Sequence, residues 1–111
     1  MLPKPNRITD GTDYRAVVRR GARCSGANTV VYVLSSDDER AARFGFIVAK
    51  NVGNAVRRNA VRRRLKAVCA GALPGVRAGS DIVIRALPAS ASASFPALRA
   101  EVERCLERRA S

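Results

Sequence analysis

Between Arg40 and Asp81 the chain carries no acidic residue. Inside that stretch runs Lys50-Asn-Val-Gly53-Asn54-Ala-Val-Arg57-Arg58-Asn59-Ala-Val-Arg62-Arg63-Arg64-Leu-Lys66, with seven basic residues. This segment constrains the fold in two ways. Its cations find no counter-charge among their sequence neighbours, so they must stand in solvent or against a polyanion. Its valines and leucine must still be buried. A helix meets both demands: at about 100° per residue, Val61, Leu65 and Val68 cluster on one side. Arg58, Asn59, Arg62, Arg63 and Lys66 share a different arc of roughly 140°, and Arg57 and Arg64 lie off it. Neighbouring like charges on such a helix cost a few tenths of a kcal/mol per pair. A polyphosphate along the face replaces that repulsion with attraction, whereas an ordinary solvated helix alternates its signs.

The whole chain repeats the signal. Twenty-one basic residues stand against nine acidic ones, a net charge of +12 on 111 residues. Eighteen of the basic residues are arginine, whose planar fork suits bidentate phosphate contacts and stacking on bases. Nucleic acid is therefore the leading partner class; an anionic membrane surface ranks second and charge for solubility third. An apolar content of 47% is enough for a core, and the length fits one domain over residues 1–111. No apolar run approaches the roughly 20 residues of a membrane span. The opening Met1-Leu2-Pro3-Lys4-Pro5-Asn6-Arg7 lacks the apolar stretch of a signal peptide. A cytoplasmic location is expected.

The chemistry is narrowed by what is missing. The chain has no histidine, the commonest general acid or base. Cys24, Cys69 and Cys105 are widely spaced with no Cys-x-x-Cys pair, so zinc and a disulfide framework are not expected and small apolar thiols are. Asp37-Asp38-Glu39 reads as a solvated loop tip. No self-contained catalytic constellation and no metal site emerge, which argues against an independent nuclease.

The rest of the chain reads as alternating elements. A short helix fits Thr12 to Arg20, with Tyr14, Val17 and Val18 at helical spacing and Gly21 as its stop. Thr29-Val-Val-Tyr32-Val-Leu34 is a buried strand. Phe44 to Ala49 is a second, expected to pair with the first as an antiparallel hairpin across Ser35–Ala42. The basic helix spans Asn54 to about Ala70, ended by Gly71, Pro74 and Gly75. Asp81 to Leu87 is a strong third strand, closed by Pro88. Ser94 caps a last helix with Pro96 in its first turn and Phe95, Leu98, Val102, Cys105 and Leu106 as its apolar face. The order predicts an α+β sandwich of helices on a small sheet.

The run Lys50-x-x-Gly-Asn-Ala-Val-x-Arg-Asn-x-x-Arg-Arg, directly after a strand, resembles the "RNR" helix of the bacterial ribonuclease P protein family. The likeness extends to Arg7, the Asp13-Tyr14 pair, Gly21, Arg23, Tyr32 and the stretch Asp81–Ala89. It implies a compact α/β sandwich of the ribosomal protein S5 domain 2 type, with a left-handed βαβ crossover through the basic helix. General strand-connection rules would not predict that hand.

The resemblance also implies partners and roles. The partners are the catalytic ribonuclease P RNA and precursor tRNA, with neither membrane nor DNA. The RNA subunit holds the magnesium ions, the protein binds no cofactor of its own, and the holoenzyme removes the 5′ leader from precursor tRNA. Lys50, Asn54, Arg57, Arg58, Asn59, Arg62, Arg63 and Lys66 become candidate contacts to RNA. Asn54 also reads as a helix N-cap, and Asn59 as a plain surface amide. Tyr14, Val18, Tyr32 and Arg23 become candidates for a cleft that holds the leader, the tyrosines either as exposed stacking platforms or as ordinary core. Val18 stands where the family often has phenylalanine, so stacking there is lost. A ribosomal or other structural RNA-binding protein shares this charge and size. A helix-turn-helix DNA reader needs a helix just before the basic one, where a strand stands instead.

Overall fold

The computed structural model describes residues 2–111. Its elements are α1 (Gly11–Arg20), β1 (Ala22–Ser25), β2 (Thr29–Leu34), β3 (Arg43–Ile47), α2 (Ala55–Ala72), β4 (Asp81–Ala86) and α3 (Phe95–Ala110). Short 3-10 turns sit at Lys4–Asn6, Lys50–Val52, Leu73–Gly75 and Pro88–Ala91. The four strands form one sheet in the order β1-β2-β4-β3, antiparallel except for the parallel pair β3 and β4. The fold is thus mixed α+β, and the parallel pair is joined through the basic helix α2.

Alternation along the strands sends their side chains to two separate cores. Val31, Val33, Phe44, Ile82 and Ile84 pack under α2 and α3 with Val61, Leu65, Val68, Val102 and Leu106. Val30, Tyr32 and Val83 face the other way and meet Val17 of α1 and Ile8. The molecule is therefore a sandwich of α1, the sheet, and the α2–α3 pair.

The expected β2–β3 hairpin does not form. β4 lies between those strands, and β2 instead makes its hairpin with β1, pairing Ala22 with Val33 and Ser25 with Val30. The reason is burial. β4 is covered on both faces along nearly its whole length, and such a strand belongs in the middle of a sheet. β1 went unrecognised because only Cys24 of its four residues is buried, too little alternation to mark a strand.

Three smaller expectations also change. Gly21 does not end α1 through a left-handed conformation, since its φ of −73° and ψ of 154° are extended. It is needed for space: a Cβ there would stand 2.5 Å from the Val17 carbonyl oxygen and 3.1 Å from the Val33 backbone. Gly71 does not stop α2, which runs through it to Ala72 before the turn containing Pro74. Phe95 leaves the apolar face of α3 and is 38% exposed, while Leu98, Val102, Cys105 and Leu106 are buried as expected.

The cysteine expectation is overturned for one pair. Cys24 of β1 and Cys105 of α3 form a disulfide, with Cα atoms 5.6 Å apart across 81 residues of sequence. Both lie under the sheet in the α2–α3 core, which brings them together although nothing in their spacing announces it. Cys69 is free and buried, and burial pushes its thiol pKa up. A polar clasp sits beside the disulfide. The Glu101 carboxylate of α3 accepts the Asn28 N–H and the Thr29 hydroxyl, tying the β1–β2 turn to the helix.

At the other end of the sheet, Asp81 accepts paired hydrogen bonds from Arg40 (2.9 and 3.0 Å) and Arg43 (2.9 and 2.8 Å). Arg43 also lies 3.5 Å from Asp13 of α1. Burial alone would raise the Asp81 pKa; the hydrogen bonds and charges of Arg43 and then Arg40 outweigh it and hold the carboxyl below its ordinary value. The hydrogen bond to Asp81 correspondingly raises the Arg43 pKa.

Candidate nucleic-acid interface

The basic helix begins with a tightly specified turn. Gly53 has φ 151° and ψ −165°, a combination open in practice to glycine alone. The next residue, Asn54, caps α2: its side chain accepts the Arg57 N–H at 2.9 Å. From that start the apolar stripe Val61, Leu65, Val68 and Cys69 is carried down onto the sheet and buried.

The opposite side faces solvent. Lys50, Asn54, Arg57, Asn59 and Arg63 are exposed, and Arg58, Arg62 and Lys66 are half-buried along the flank with their stems against the protein. Ion pairs among the described residues involve only Arg40, Arg43 and Arg99 as cations, so no carboxylate neutralises α2. Within the helix, Arg62 donates to the Asn59 side-chain oxygen at 3.3 Å, which fixes both groups on the outer surface. Arg58, Asn59, Arg62, Arg63 and Lys66 thus form one cationic strip beside the buried stripe, with Lys50, Asn54 and Arg57 at the start of the helix. The Arg58 Nε is buried without a hydrogen-bond partner; nothing in its surroundings explains that.

On the other face of the sheet, α1 and the strands enclose a groove of about 340 Å³. Of the four cleft candidates, Tyr14 and Val18 line it. Tyr32 does not stand open as a platform: it is 5% exposed, and the Arg85 guanidinium lies 5.7 Å from its ring centre. Arg23 is exposed and sits directly across from Tyr32 in the β1–β2 register, on the same face but outside the groove lining. The Tyr14 ring lies against Gly45, and its hydroxyl oxygen accepts the Phe46 N–H at 3.2 Å.

Four lining residues escaped the sequence reading: Arg15 and Arg19 of α1, Ile47 of β3 and Arg85 of β4. Arg85 had a usable signal, as the lone charge inside the apolar run Ile82–Leu87. It is also the only exposed position of β4. Arg15 and Arg19 sit four apart on α1, a spacing that places them on one face. The groove therefore joins an apolar floor of Val18 and Ile47 to a rim of three arginines. Such a surface suits a flexible polyanion carrying flat apolar groups. Among the described residues no three His, Cys, Asp or Glu side chains come together as a metal site would need. Among the described residues no helix is long and apolar enough to cross a membrane.

Comparison with known proteins gives one consistent answer. The ribonuclease P family profile matches residues 2–110. The chain is 49% identical over 108 residues to the ribonuclease P protein component of Clavibacter michiganensis, covering 97% of this chain and 96% of that one. It is 48% identical over 109 residues to that of Acidothermus cellulolyticus, covering 97% and 91%. Among solved structures, the Staphylococcus aureus RNase P protein superposes with a TM-score of 0.84 at 24% identity over 95% of both chains. The Thermotoga maritima RNase P protein superposes at 0.83 with 20% identity, covering 95% of this chain and 98% of that one.

Proposed function

The chain belongs to the ribonuclease P protein family, and on that premise we propose that it is the RNA-binding subunit through which a catalytic RNA recognises and trims precursor tRNA. Members of the family are protein components of an endoribonuclease that processes tRNA. The finer assignment concerns what each surface of this chain does. The α2 strip docks on the catalytic RNA, where Arg58, Asn59, Arg62, Arg63 and Lys66 meet phosphates and Lys50, Asn54 and Arg57 extend the contact at the helix start. The groove between α1 and the sheet takes the single-stranded 5′ leader, with Tyr14 and Val18 on its floor and wall and Arg15, Arg19 and Arg85 along its rim. Arg23 extends the positive surface past Tyr32.

The chain's part is positioning and charge compensation. Two large polyanions repel each other, and a scaffold of +12 placed between them lowers that repulsion. Magnesium held by the RNA would supply the hydrolytic chemistry. A leader fixed in the groove sets the distance from the mature tRNA end to the cleavage site. The site of action is the bacterial cytoplasm, where precursor tRNA is made.

One observation carries this reading: the cations of α2 lie away from the helix's buried stripe, and none has a carboxylate partner among the described residues. The test adds the purified chain to its cognate catalytic RNA and precursor tRNA at physiological magnesium. Restored leader cleavage is expected. A folded chain that binds the RNA yet leaves cleavage unchanged would point to a structural RNA-binding role instead and overturn the assignment.

A further inference from the structure

At the outer edge of β3, where the two faces of the sheet meet, lies a second recess of about 230 Å³. It shares Tyr14 with the groove but is otherwise separate. Phe44, 1% exposed, forms its floor, and half-buried Phe46 forms a wall. Three cations surround the opening: Arg62 and Lys66, one turn apart on α2, and Arg7 from the N-terminal segment. Arg7 is held there by a parallel bridge to Phe44, beside the 2.8 Å hydrogen bond from the Ile8 N–H to the Phe44 carbonyl. None of the three cations has a carboxylate within ion-pair reach among the described residues.

This edge is closed to an added peptide strand. The Phe44 carbonyl and the Phe46 N–H, the groups a strand would need, are already taken by Ile8 and Tyr14. What remains is an aromatic-walled hollow, somewhat smaller than sites that enclose drug-sized ligands, with cations on two sides of its opening. A flat apolar group attached to an anion fits that combination. An unpaired nucleotide is such a group.

We propose that this recess is a nucleotide site: one unpaired RNA base packs against Phe46 and Tyr14 while Arg7, Arg62 and Lys66 hold the flanking phosphates. The proposal rests on the RNA-binding reading above and deepens it in two respects. It makes Phe46 a specificity-determining residue in a chain whose groove lacks an aromatic side chain at Val18. It also places the site between the two surfaces, sharing Arg62 and Lys66 with the α2 strip and Tyr14 with the groove.

The test measures binding of the full chain to a short single-stranded RNA and to a set of otherwise identical strands, each missing one base. With the unaltered chain, removal of one particular base is expected to weaken binding about fivefold or more, the scale of a lost stack. In Phe46→Leu that penalty should vanish while the salt dependence stays the same. An undiminished penalty in Phe46→Leu overturns the proposal. Should Phe46→Leu fold poorly, Arg7→Gln provides the second measure, because Arg7 lies outside the α2 strip. It should lower the log–log salt slope by roughly 0.7, the contribution of one phosphate on a single strand; an unchanged slope counts against the site. Salt-independent binding by the unaltered chain would instead sink the RNA-binding reading itself.

In the assembled holoenzyme, the Phe46→Leu loss can be compared for precursors with a long and a minimal leader. A loss confined to the long leader assigns the base to the substrate, and an equal loss assigns it to the catalytic RNA. No loss with either rejects the site.

Discussion

The Tyr14 ring lies so close to Gly45 that a Cβ on the glycine would stand 2.5 Å from the ring's Cε1 and 2.7 Å from its hydroxyl oxygen. The contact fixes where the Tyr14 side chain of α1 reaches β3, and with it the wall shared by the groove and the edge recess. Gly45→Ala should therefore cost about 1–3 kcal/mol through overpacking and displace the ring from the Phe46 N–H. Chemical denaturation measures the first effect. A Gly45→Ala chain as stable as the parent, with unchanged affinity for single-stranded RNA, would refute this.

The Asp81 cluster makes stability depend on acid pH. Its carboxyl titrates below the ordinary value in the folded chain, so the folded state favours the ionised form more than the unfolded state does. That contribution is complete above the unfolded value of about 3.9 and is lost as pH falls through the lower folded value. Asp81→Asn removes the main partner of Arg40 and Arg43, which keep only Asp38 and Asp13, and should cost about 1–3 kcal/mol at neutral pH. Urea midpoints from neutral pH down to the acid limb should fall for the parent and flatten for the variant; parallel curves would exclude this role.

The Cys24–Cys105 bond closes a long loop and restricts the unfolded chain, an effect worth about 2–5 kcal/mol. A reductant should lower the melting temperature by roughly 10 °C or more. Cys24→Ser should melt near the reduced parent and ignore the reductant. Melting curves with and without dithiothreitol decide it, and identical curves for the parent would show that the bond contributes nothing.

Asn54 contributes at the first turn of α2. Asn54→Ala should destabilise the chain by about 1 kcal/mol, and Asn54→Ser should recover most of it. Because Lys50 and Arg57 flank that turn, the alanine variant should also bind the catalytic RNA more weakly, with little change in salt slope. Equal stability of the alanine and serine variants would argue against the cap.

The α2 cations should behave as independent phosphate contacts. Each of Arg58, Arg62, Arg63 and Lys66 replaced by glutamine should reduce the salt slope of RNA binding by roughly 0.7–0.9. Filter binding across a salt series checks it. Slopes that stay constant while affinity falls would mean that these residues act through folding rather than through phosphates.

Much of the fold was legible because periodicity survives in single segments. The 3.6-residue spacing of Val61, Leu65 and Val68 and the dense β-branched run Thr29–Leu34 each identify an element from local pattern alone. Pairing is a different kind of information. Whether β2 meets β3 or β4 depends on which strand is apolar on both faces, and Ile82–Ile84 outcompetes Phe44–Ile47 only when all strands are weighed together. The Cys24–Cys105 bond is further out of reach, since it exists only once β1 and α3 are stacked. The candidate strip on α2 could be read because it is a single helix face. The groove rim could not, because Arg15, Arg19 and Arg85 come from two elements that meet only in the folded sandwich.

The two borders of the sheet differ in a way that bears on how the chain behaves without its RNA. At β3 the outward hydrogen-bonding groups are covered by Ile8 and Tyr14. At β1 the border is only four residues long, carries exposed Arg23 and is anchored to α3 beneath it. Short, charged or occupied borders resist sheet-to-sheet aggregation. Protection of this kind does not fade with ionic strength as mutual repulsion between copies does. The free protein should therefore remain monodisperse in concentrated salt, where its charge no longer keeps neighbouring copies apart.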